Sequence, residues 1–233
     1  MTAIKEKEFR FQGLDLRTEM WLGLAILPIL VTVLAGLFYL LKTVLSFNLL
    51  KIPRGLIVVV VLGTSLFSIH WLAKLIRDKT WIVRVTADRL LIRFRRRQFD
   101  IPLDSIREIK NLGSTEHRYL SFFTTDGQTV RIRVGNGAMT PFSKKEDIQT
   151  VDDLITHLKP YMDKYFNKKE LRNKINQYPF PHCGVYIVKS EPLTYRWIEK
   201  LTPGQVILLI FGGGVAFIVL LLQVLFYYID HKS

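Results

Sequence analysis

Apolar and polar positions divide this chain into three long uncharged stretches and an alternating middle. Residues 20–41, 55–73 and 201–229 contain no Asp, Glu, Lys or Arg. A helix rises about 1.5 Å per residue, so about 20 apolar residues cross the roughly 30 Å hydrocarbon core of a bilayer. Each stretch predicts a membrane-spanning helix, at about 20–41, 55–73 and 203–229. The first is longer than the apolar region of a secretory signal and has no small-residue cleavage site after it, so it reads as a retained anchor. Thr202, Pro203 and Gln205 give the third a capped start. Small residues four apart, Thr32/Gly36, Thr64/Ser68 and Gly212/Ala216, let such helices approach closely in lipid.

From Thr80 the period changes to two. With Thr86 opposing Arg89, the pairs Val85/Leu90, Val83/Ile92 and Trp81/Phe94 fall on one apolar face. The other face holds Ile82, Arg84, Leu91 and Arg93, with Arg95 continuing it, while Arg96 and Arg97 fall at the following turn. Phe99, Ile101 and Leu103 alternate next. Asp126-Gly127 reads as a two-residue hairpin turn, opposing Phe123 to Val130, Ser121 to Ile132 and Tyr119 to Val134. Leu120, Phe122, Arg131 and Arg133 then share the opposite face. Apolar residues at 151, 154, 155, 158, 161, 162, 165 and 166 predict an amphipathic helix capped by Thr150, with Asp152 and Asp153 in its first turn and a basic extension. A short strand is expected at 185–188.

Charge sets an orientation. The chain carries 33 Lys and Arg against 20 Asp and Glu, a net charge of +13. Basic residues in the flank 1–19, and Arg77, Lys79 and Arg84, place the N-terminus and the domain at 79–176 in the cytoplasm. A segment at 177–202 then leads back to the membrane, and the tail 230–233 falls outside. Cys183 is the only cysteine, which excludes an intrachain disulfide and fits a reducing compartment.

The run "VTADRLLIRFRRRQFDIPLDSIREI" resembles the core of the bacterial pleckstrin-homology-like domains found in membrane proteins. Val85-Thr86-Ala87-Asp88-Arg89-Leu90 and Ile101-Pro102-Leu103-Asp104-Ser105-Ile106 match that pattern, over roughly 79–166. The resemblance implies a partly open barrel plugged by a C-terminal helix, a role in assembly or binding rather than catalysis, and a bacterial inner-membrane location. The expected fold is therefore a membrane protein of α plus β class: three transmembrane helices, and a pleckstrin-homology-like β-barrel or sandwich capped by a helix. The phosphoinositide site of eukaryotic relatives lies in a long first loop, which here is only "TADR" and carries nothing over.

Candidate chemistry is sparse. His117, His157 and His182 lack metal-ligand spacing, and no metal or cofactor is expected. His182-Cys183 is the one adjacent base-and-nucleophile pair, the basis of a remote hydrolase reading. The leading expectation is a non-enzymatic membrane scaffold or accessory subunit. Its arginine-rich sheet face, Arg84, Arg93, Arg95, Arg131 and Arg133 with Leu120 and Phe122, docks a protein partner. The alternative is contact of the same patch with anionic membrane lipids. The membrane tether argues against nucleic acid.

Overall fold

The computed structural model describes residues 5–43, 54–138, 140–171, 179–195, 197–201 and 205. Two antiparallel sheets and three α-helices make up the described fold. In the first sheet, β3 (Thr80–Val85) and β4 (Arg89–Phe94) pair Trp81 with Phe94, Val83 with Ile92 and Val85 with Leu90. All six side chains are buried, because a register of period two sends one whole face inward. β5 (Arg97–Pro102) lies along β4, and β1 (Lys7–Gln12) pairs with β3 on the other side. The described part of the N-terminal flank thus includes a strand of the domain: Phe9 and Phe11 enter the core while Glu8 and Arg10 face out.

The second sheet has the order β2-β8-β7-β6-β10-β9. It comprises β2 (Leu14–Asp15), β6 (Ile106–Ser114), β7 (His117–Thr124), β8 (Thr129–Gly135), β9 (Phe166–Lys169) and β10 (Gly184–Val188). The β7–β8 hairpin departs from the expected register by one residue. Thr124 faces Gln128 across a three-residue loop, with its N–H donating to the Gln128 carbonyl at 3.0 Å. Gly127 takes φ +83°, the left-handed position that closes such loops. Hydrogen bonds from Thr124 and Gln128 hold the Asp126 carboxyl below the usual carboxylate range. The register becomes Phe122 opposite Val130, Leu120 opposite Ile132 and Tyr119 opposite Arg133.

One core joins both sheets to α3 (Lys145–Tyr165), which buries Ile148, Val151, Leu154, Ile155, Leu158 and Met162 in it. The helix starts before Thr150. The Asp147 carboxylate accepts the N–H groups of Lys144 at 2.6 Å and of Gln12 at 2.8 Å, so the cap also fastens β1. Thr150 lies inside the helix, its hydroxyl donating to the Glu146 carbonyl at 2.9 Å. After Tyr165 the chain turns directly into β9, in place of the expected basic helical extension.

The three-span architecture is not what the structure contains. Among the described residues one helix, α1 (Leu16–Thr43), is long and apolar enough to cross a membrane, over Leu16–Leu41. The apolar part of α2 (Arg54–Leu75) described here is Val59–Leu75. The predicted third span at 203–229 lies, Gln205 apart, outside the described residues. α1 and α2 pack together and are seated on the domain: Leu22 of α1 and Ile69 and Ala73 of α2 share a buried cluster with Leu14 and Phe142. His70 of α2 bonds through Nδ1 with the Leu66 carbonyl at 2.9 Å, a contact within its own helix.

Candidate functional site

The seven residues expected on one face fall in four places. Arg84 and Arg93 are exposed on the outer face of the first sheet, beside half-buried Ile82 and Leu91. Arg10 of β1 joins them, opposite Ile82, which lies opposite Arg93. Arg84 pairs with Glu6 at 2.5 Å and Arg10 with Glu8 at 3.5 Å. Exposed pairs of this kind contribute only about 0–1 kcal/mol, so an incoming carboxylate can replace them.

Arg95 is not on that face. β4 ends at Phe94, and Arg95 sits in the turn at φ +53°. Its Nε donates to the Asp78 carbonyl at 3.0 Å and its Nη1 to the Thr18 hydroxyl at 3.3 Å, which directs it to the base of α1. Arg131 and Arg133 lie on the outer face of the second sheet. Arg133 lies over Tyr119, 4.3 Å from the ring centre, and its Nε stands 3.1 Å from Glu19 Oε2, an ion pair without the alignment of a hydrogen bond. It fastens β8 to α1 and is not available for docking. Leu120 and Phe122 are fully buried in the core, so neither can contact a partner. The one-residue register shift is the reason.

Arg10 is not among the residues expected here, because the flank at 1–19 reads as separate from the sheet. The alternation of Phe9 and Phe11 with polar neighbours was the available signal. Arg118, 3 % exposed, is likewise not among the expected residues. Arg118 grips Asp152 with two bonds, Nε to Oδ1 at 2.7 Å and Nη2 to Oδ2 at 2.8 Å. It also donates to the Ser114 and His117 carbonyls and stacks over Phe180 at 3.9 Å. Asp152 stands in the body of α3, clamping it to β7, and has no part in the helix's first turn.

Two tyrosines add a pH dependence. Burial pushes the Tyr161 phenol up to about 12, with Asp104 and Tyr165 adding to the shift, and burial does the same for Tyr186, up to about 12. The Tyr161 hydroxyl donates to the Leu103 carbonyl and that of Tyr186 to the His182 carbonyl. Both folded values exceed the ordinary phenol value of 10.0, so the unfolded chain loses these protons first. Their stabilisation is intact below pH 10 and is lost as the pH rises towards about 12. The unfolding temperature should fall steeply in that window, and less so in Tyr161→Phe. An ultraviolet phenolate titration with no late-titrating tyrosines would contradict this.

Cys183 is 3 % exposed, immediately before β10, and the preceding His182 carbonyl is taken by Asn111 Nδ2 at 3.1 Å. Burial, followed by Lys159, lowers the pKa of His182. The buried Cys183 thiol gives the hydrolase reading no support. No family model matches this chain, and no curated protein matches it.

Proposed function

We propose that this chain is a non-enzymatic, membrane-anchored docking module. α1 holds the two-sheet domain at the bilayer surface, and the outer face of the first sheet receives an acidic segment of a protein partner. The observation that carries this is the interleaving of exposed Arg10, Arg84 and Arg93 with Ile82 and Leu91 on strands whose inner face is core. Protein interfaces favour that mixture of arginine and apolar groups. None of the most apolar window of α1 is buried within the fold, and an apolar surface of that extent calls for lipid around it. The pairing of β1 with β3 keeps the N-terminus on the domain's side, in keeping with a cytoplasmic domain at a bacterial inner membrane. The likeness of 85–106 to the bacterial pleckstrin-homology-like domains also favours binding over catalysis.

The test is co-purification of partners from native membranes. In Arg84→Ser/Arg93→Ser, recovery of the main partner should drop about tenfold, at unchanged levels of the protein itself. Recovery at the wild-type yield would sink the docking reading.

A further inference from the structure

A second basic region lies away from the sheet face, where the Arg95-Arg96 turn meets the first turn of α1. Two adjoining clefts, of about 560 and 340 Å³, share Asp15, Arg17, Phe94 and Arg97. Together they gather Arg17, Arg95, Arg96, Arg97 and Arg131 against two carboxylates, Asp15 and Asp78. Both carboxylates are already engaged. Asp15 accepts from the Thr18 hydroxyl and stands 4.0 Å from Arg97, and Asp78 accepts the Thr80 N–H at 3.4 Å. Arg17, Arg96 and Arg131 form no ion pair among the described residues.

Two further observations point to what fills the cleft. Trp81 lines its smaller part, is 2 % exposed, and its indole N–H has no acceptor within the described fold. Buried donors are rarely left unpaired, so an acceptor from outside is indicated. At the other end stands Trp21, 62 % exposed and one helical turn beyond Arg17. Trp71 on α2 is 50 % exposed and near the same level, since Leu22 packs with Ile69 and Ala73. Tryptophans paired in this way on apolar helices mark the headgroup zone of a bilayer.

We infer that this cleft holds the phosphate of an anionic glycerophospholipid. Arg17, Arg96 and Arg97 donate to the phosphate oxygens, and the Trp81 N–H donates to an oxygen carried deeper by the headgroup. Arg95, held by Asp78 and Thr18, forms the rim. The guanidinium fork suits phosphate, and each basic residue near an anionic membrane raises affinity about fivefold. The inference rests on reading α1 as a membrane anchor and is independent of the docking face.

The full-length protein would be placed in phosphatidylcholine nanodiscs containing phosphatidylglycerol and re-extracted in mild detergent. Native mass spectrometry then counts the retained lipid. Wild type should retain phosphatidylglycerol about twentyfold better than Arg17→Ser/Arg96→Ser, and Arg96→Glu should lose it likewise. Neither variant removes an ion pair, so thermal unfolding should be unchanged. Arg84→Ser/Arg93→Ser should retain lipid as wild type does, and excess glycerol phosphate should not displace it.

Equal retention by wild type and both cleft variants would overturn the assignment, as would equal loss in Arg84→Ser/Arg93→Ser. Displacement by glycerol phosphate would make a free phosphate ester the ligand and overturn the lipid. Alkaline carbonate washing of membranes separates the two readings. Release of wild type from the pellet overturns the anchor itself, whereas a retained pellet without lipid preference overturns the cleft alone.

Discussion

Alanine at Arg118 or at Asp152 should each cost about 3–5 kcal/mol, because either change leaves its partner charged and largely buried without its counter-ion. The side chains are 4 % and 14 % exposed, so water replaces the lost partner poorly. For a domain of this size that corresponds to a fall of roughly 10 °C in unfolding temperature. The double change Arg118→Met/Asp152→Leu should be far milder than the sum of the single changes. Its remaining cost comes from the Ser114 and His117 carbonyls, which lose a donor at about 1–3 kcal/mol for each unsatisfied group. Thermal unfolding of the three variants in detergent forms the cycle. Strictly additive losses would show that the pair does not act as a unit.

Phe122→Ala should cost about 3–5 kcal/mol, the range for emptying a buried aromatic site. Its neighbour Phe123 points the other way, half-buried, under Lys110 at 4.9 Å and Arg131 at 5.8 Å. Phe123→Ala should cost about 1 kcal/mol or less, since it loses mainly exposed cation–π contacts. The comparison reads the β7–β8 register directly. If Phe123 proved the costlier position, the two-residue turn would be the true one and Phe122 would face outward.

These two cases show where the chain is legible and where it is not. The β3–β4 hairpin was readable because six apolar residues pair only in one register, and any slip mixes Arg84 and Arg93 into the core. The β7–β8 hairpin offered two nearly equal apolar sets, Tyr119/Ser121/Phe123 and Leu120/Phe122. There the choice between a two-residue and a three-residue loop decided the face, and Asp126-Gly127 suits both. The start of α3 escaped because Asp147 caps it through a contact with Gln12, 135 residues earlier, which no local pattern records. The Arg118–Asp152 clamp is invisible for the same reason.

The residues expected on the docking face fared unevenly. Arg84 and Arg93 stand where alternation put them. Arg95 does not, since four arginines in five positions conceal a turn after Phe94. Counting uncharged residues also overstated the membrane part. Freedom from charge alone does not make a span, for among the described residues only α1 is long and apolar enough to cross a membrane.

Site-specific photo-crosslinking in living cells tests the docking face most directly. A benzophenone side chain placed at Leu91 sits among Arg84, Arg93 and Arg10, whereas one at exposed Glu146 on α3 reports a different surface. The expected result is one discrete heavier adduct from Leu91, absent in Arg84→Ser/Arg93→Ser, and none from Glu146. No adduct from Leu91, or the same adduct from both positions, would contradict a docking face on the first sheet.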